Sequence, residues 1–221
     1  MAKTKGWAYL FILSGFILAH SACAQNPPFS GQAYVNEEKL VEKATFLFNN
    51  QQQLIPLSDV GELKIASIHF TYQYAAAFDS LLNKYGGIDA YNGTDYVTIK
   101  TLGDLDFDTK TYNTLIVQVN DADLDNPAII GFINDNQRIK NVVVAFFGSR
   151  DNLGKFDSVN APIIWCPRPS PVAAFYSAQA IFGGVPVTQN LIANYSAKYK
   201  RNSGFLTQKI RLGYTAPEEV G

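Results

Sequence analysis

The sequence predicts an α/β fold, a flavodoxin-like three-layer sandwich around a mainly parallel sheet of about five strands. Runs rich in Val, Ile and Phe recur without strict alternation, the pattern of strands buried on both faces. Segments with helical spacing lie between these runs, as crossovers between parallel strands require. An all-β sandwich needs closely spaced turn signals and no such helices.

The Pro- and Gly-rich stretch 26–33 (NPPFSGQA) reads as part of an extended lead-in over 25–36. Residues 36–49 have a helical rhythm, with Leu40, Ala44 and Leu47 on one face and Glu37 and Glu38 near the start. Asn49-Asn50 breaks it, and Leu54-Ile55-Pro56-Leu57 follows as an apolar tether. Residues 63–70 (LKIASIHF) form a first strand. Residues 74–85 form a helix through Ala77, Phe78, Leu81 and Leu82, stopped by Gly86-Gly87. The β-branched stretch 96–100 is a second strand and 114–119 (TLIVQV) a third. Asn126-Pro127 opens a helix to Ile139, with Pro where its missing N–H does no harm. Residues 141–147 (NVVVAFF) and 162–166 complete the strands. Ser170-Pro171 starts a helix over 172–182 that ends at Gly183-Gly184.

With 47% hydrophobic and 17% charged residues, the 221-residue chain has the composition of an ordinary globular domain with extensions. Its formal charge of −1 supplies no footprint for a polyanion, so nucleic acid is excluded as a partner. Residues 1–24 read as a signal peptide: Lys3 and Lys5 precede the apolar run 7–18, too short for a permanent membrane span. Cleavage after Ala22-Cys23-Ala24 leaves Gln25 first and places the protein in the periplasm or outside the cell. The competing reading, a lipid on Cys23, would tie the chain to a membrane, but His20 stands where a lipobox carries a Leu-like residue. Cleavage leaves Cys166 as the sole thiol, so packing and not a disulfide must hold the fold. In the apolar string Ile163-Ile164-Trp165-Cys166 it reads as a buried small hydrophobe.

Few residues invite chemistry. His69 is the one histidine beyond the signal, which leaves no set for a zinc site, and it reads as a polar residue closing a strand. Gly148-Ser149-Arg150 lacks the second glycine of a nucleophile elbow, and Gly183-Gly184 follows a helix, so it is a C-cap and not a phosphate cradle. Asp121, Asp123 and Asp125 alternate after the third strand, but the stretch 121–132 lacks the Gly and Glu of a calcium loop. They read as a solvated loop or as a substrate edge; Asp104, Asp106 and Asp108 read as a second solvated set. No catalytic, cofactor-binding or metal residue is assigned, and no cofactor is expected.

The order of signals resembles the C-terminal domain of family 3 glycoside hydrolases. Ala44-Thr45-Phe46-Leu47-Phe48-Asn49-Asn50, then Leu54-Ile55-Pro56-Leu57 and Lys64-Ile65-Ala66, is similar to that domain's entry, a helix followed by L-P-L and a strand beginning K-I-A. Residues 142–148 (VVVAFFG) resemble its late strand ending in F-G, and 178–184 (AQAIFGG) its A-x-A-I-F-G-G helix ending. The likeness covers 37–184, within a domain set at 37–200 and followed by a C-terminal extension, 201–221. Arg211-Leu212-Gly213-Tyr214 and Pro217-Glu218-Glu219-Val220-Gly221 resemble the seam of Bacteroidetes-type fusions, where an N-acetylhexosaminidase-like unit precedes a β-lactamase-like hydrolase.

In that family the nucleophilic Asp, and in its hexosaminidase branch the acid/base His-Asp pair, lie on a preceding barrel domain. The resemblance therefore carries no catalytic residue onto this chain. Gln189-Asn190-Leu191-Ile192-Ala193 also replaces the usual G-R-L-P-V after the F-G-G. The expectation is an exported accessory domain, non-catalytic alone, partnered by a separate barrel-type glycosidase, a β-lactamase-like hydrolase or a glycan. An autonomous hydrolase and an interaction module without sugar chemistry are the alternatives.

Overall fold

Five strands lie side by side and parallel in one six-stranded sheet, and a short antiparallel strand closes one edge. The computed structural model describes residues 31–214, and the expected signal peptide over 1–24 lies outside the described residues. The strands are β1 (Phe46–Phe48), β2 (Ile65–His69), β3 (Ile88–Asn92), β4 (Thr114–Asn120), β5 (Asn141–Phe147) and β6 (Ile163–Cys166). Their spatial order is β1-β6-β5-β4-β2-β3. Without β1, this is the doubly wound flavodoxin-like order, in which the chain reverses direction across the sheet between β2 and β4.

The helices are α1 (Gly31–Glu42), α2 (Ala75–Tyr85), α3 (Gly93–Thr98), α4 (Leu102–Asp108), α5 (Pro127–Asn136) and α6 (Pro171–Phe182). Alternate strand residues feed two apolar layers. Ile65, Ile116, Val143 and Ile164 pack beneath α1, α2 and α6. Ala66, Val117, Val144 and Trp165 pack against α3, α4, α5 and the 3-10 turn Arg150–Phe156. Two-sided burial explains why β4, β5 and β6 read as unbroken apolar runs.

Three local expectations are corrected. Residues 31–36 are helical and not extended, because α1 begins at Gly31 and buries Tyr34 and Val41, seven residues apart on one face. The helical rhythm of 36–49 ends at Glu42, and Phe46–Phe48 pairs with β6. There Phe46 and Phe48 stack on Trp165, with ring centroids 5.1 and 6.1 Å away, so cross-strand aromatic contact overrides helix spacing. The stretch 96–100 is not a strand. The edge position belongs to β3, and Asn92 caps α3 by accepting from the Thr94 N–H.

Helix α6 holds the centre of one layer. Ser170 caps its start, accepting from the Ala173 N–H at 3.1 Å, with Pro171 in the first turn. Its end is a Schellman turn: Gly183 takes φ 74°, Gly183 N–H donates to the Ala180 carbonyl and Gly184 N–H to that of Gln179. The following chain returns to this end. Ile210 and Arg211 N–H groups donate to the Gly183 carbonyl, and Tyr214 N–H donates to Gln179 Oε1 at 2.7 Å.

Candidate functional site

Doubly wound sheets present ligand-facing residues beyond the C-terminal ends of their strands. Here that edge carries a buried polar cluster below the switch point. Ser67 of β2 donates to Asp79 Oδ1 at 2.6 Å, and Gln118 Nε2 of β4 reaches Asp79 Oδ1 at 2.8 Å and Ser67 Oγ at 2.9 Å. His69 Nδ1 stands 3.9 Å from Asp79 Oδ2, and neither it nor the Gln118 Oε1 has a hydrogen-bond partner. Because Ser67 is fully buried and bonds the carboxylate instead of the imidazole, the set is no Ser-His-Asp triad. Sequence reading missed Asp79; the available signal was two polar residues, Ser67 and Gln118, interrupting otherwise apolar strands.

Burial pushes the Asp79 carboxyl up, opposed by the Ser67 bond, by His69 and by Gln118. Between the usual carboxylate pKa and the raised one, the folded chain holds this proton more tightly than the unfolded chain does. Its contribution therefore favours the fold at acid pH and is lost as pH rises through that window. Asp79→Asn keeps the acceptor for Ser67 and Gln118 and turns an N–H towards His69 Nδ1. Urea denaturation should find it more stable than the parent at pH 7, with the difference shrinking as pH falls towards the usual carboxylate range. Destabilisation at pH 7 would instead mean that the charge is bound by His69.

Two of the three acidic candidates after β4 are loop staples. Asp123 accepts from Thr71 Oγ1 at 2.6 Å, Thr71 N–H at 3.0 Å and Asn120 N–H at 2.9 Å, which ties the β2–α2 loop to β4 across the switch point. It is only 4% exposed, so the solvated-loop reading fails for it. Asp121 takes the Ser149 N–H on both oxygens, each at 2.9 Å, and Asn152 Nδ2 at 2.7 Å. Asp125 is exposed and pairs with Lys155 at 3.1 Å. Asp104, Asp106 and Asp108 lie on α4, not in a loop. Asp104 completes a capping box with Thr101, Asp106 accepts from Asn136, and Asp108 accepts from Tyr96. Cys166 is buried and burial raises its thiol pKa, which suppresses the nucleophilic thiolate.

Beside these staples an open groove of about 620 Å³ lies at the ends of β5 and β6. Phe46, Trp165 and Tyr195 supply its aromatic wall, and Lys43 and Arg150 its cations. The Trp165 indole N–H is already held by the Gly148 carbonyl at 2.9 Å, while exposed Ile192 stands at the rim. Among the described residues Asp121 is the only carboxylate on the wall, and both its oxygens are occupied. Such a surface can stack a ring or seat an apolar protein loop, but it offers no pair of free carboxyl groups to flank a glycosidic bond.

No protein-family model matches the chain, and no curated protein does. Solved structures share its fold. One is a fungal multi-domain family 3 β-N-acetylglucosaminidase with a GCN5-related glucosamine N-acetyltransferase region: 16% identity, TM-score 0.55, 66% of this chain and 17% of that one. Another is the family 3 β-N-acetylglucosaminidase of Paenibacillus sp. str. FPU-7: 11% identity, TM-score 0.55, 80% of this chain and 34% of that one. The chain thus spans about a third or less of the enzymes it resembles.

Proposed function

We propose that this protein is an exported accessory domain of the family 3 glycoside hydrolase C-terminal type. It does not cleave glycans by itself and serves a barrel-type glycosidase acting on N-acetylhexosaminides or other cell-envelope glycans. The observation that carries the reading is the occupied state of Asp121 and Asp123: the carboxylates nearest the functional edge hold loops in place instead of facing substrate. The fold likeness to segments of two larger family 3 β-N-acetylglucosaminidases supports the same reading, since a unit of this shape works there within a longer chain. The aromatic and cationic groove is the docking face, with exposed Ile192 and Arg150 at its rim.

Co-purification from the native envelope fraction should bring down a barrel glycosidase. Amide exchange should slow in 148–157 and 189–195 when it binds, and I192D with R150E should weaken capture about a hundredfold or more. Capture that survives both changes, or protection confined to the opposite edge of the sheet, would contradict the docking face.

A further inference from the structure

The N-terminal edge of the sheet carries a second cleft, of about 560 Å³, between the loop after β1, the end of α5 and the starts of β5 and β6. That volume falls within the range of roughly 300–1,000 Å³ usual for small-molecule sites. Its wall is made of side-chain amides and contains neither Asp nor Glu.

Gln137 fixes this wall. Its Oε1 accepts from the Asn160 and Ala161 N–H groups at 2.8 and 2.7 Å, and its Nε2 donates to Asn134 Oδ1 at 2.8 Å. Asn134 in turn donates to Ser158 Oγ at 2.9 Å. Gln51, Arg138 and Asn141 also line the cleft, and their side chains make no hydrogen bond or ion pair among the described residues. Arg138 is not needed at the end of α5. The last carbonyls there are met by the Gln137, Arg138 and Lys140 N–H groups, and the neighbouring Lys140 ammonium sits on the Thr109 carbonyl at 2.7 Å. The cleft therefore combines a rigid amide scaffold, the free side-chain amides of Gln51 and Asn141, and one uncommitted guanidinium.

We infer that this cleft is a second ligand site, which takes a pyranose bearing an oxyanion, either a carboxylate or a phosphate. Amides offer a donor and an acceptor side by side, which matches neighbouring ring hydroxyls. The Arg138 fork matches the two oxygens of the anion, and no wall carboxylate repels it. The site stands independently of the docking face at the other edge.

The test is a titration of the full chain, followed by amide NMR shifts, with glucuronate, glucose 6-phosphate and glucose as probes. At least one of the two acids should shift Gln51, Arg138, Asn141 and Asn160 and bind about tenfold more tightly than glucose, and the tighter acid identifies the anion. Arg138→Gln, an exposed change, should abolish that preference with the melting temperature unchanged. Arg150→Gln at the opposite edge should leave it intact. Glucose binding as tightly as both acids, no shift with either acid, or a preference lost with Arg150 instead of Arg138 would overturn the assignment.

Discussion

Gly148→Ala is expected to destabilise the protein by about 3 kcal/mol, combining overpacking with a lost hydrogen-bond set. A Cβ on Gly148 would overlap Asp121 Oδ1 and stand 2.7 Å from Asp121 Cγ and 2.6 Å from Phe146 Cε2. Phe146 is fully buried and cannot withdraw, so Asp121 must. Its departure leaves the Ser149 N–H and the Asn152 amide without their acceptor and frees the 3-10 turn Arg150–Phe156 that walls the groove. Urea denaturation reads the loss directly. With Asp121→Ser the space is vacated, so Gly148→Ala should then cost clearly less than it does alone. Full additivity of the two changes would show that the glycine is there for another reason.

Arg211→Met carries the second large effect, a loss of about 2–4 kcal/mol. The Arg211 guanidinium donates to the Phe182 carbonyl at the end of α6 and to the Leu57 carbonyl, both at 2.6 Å. It thus compensates the negative end of a helix and clips the returning chain onto the layer in one contact. Methionine keeps the stem's packing and removes both bonds, so the loss reports charge and geometry and not volume. Arg211→Lys should recover only part of it: one guanidinium nitrogen, Nη1, donates to both carbonyls, and the lysine ammonium ends one bond short of that position. Thermal denaturation checks the magnitude. Amide exchange should show Ile210 and Thr207 opening first, since their N–H groups bond Gly183 and Val187 through this same return. A variant that melts with the parent would mean the clip contributes nothing.

The parts of this fold legible from sequence are those whose burial leaves a one-dimensional trace. Strands β4, β5 and β6 are buried on both sides and read as apolar runs, while α6 announces its ends through Ser170, Pro171 and Gly183. Strand β3 left no such trace because it sits at the sheet edge, half exposed, with Asp89 and Asn92 among its five residues. Strand β1 is only three residues long, and its reason for being a strand, the stack on Trp165, lies well over a hundred residues away. The site shows the same limit. Alternating aspartates after β4 were visible, but what Asp121 and Asp123 hold depends on loops supplied by Ser149 and Thr71. Asp79 was hidden on the apolar face of α2, where only the register of β2 against β4 brings Ser67 and Gln118 to it.

We propose that the carboxylates at the C-terminal edge of the strands are structural and that the chain alone carries out no glycoside cleavage. Incubation of the purified, partner-free protein with nitrophenyl N-acetyl-β-glucosaminide tests it most directly. No nitrophenol above the uncatalysed background is the predicted result, in the parent and in Asp121→Asn and Asp123→Asn alike. Steady release by the parent that disappears in either variant would contradict it.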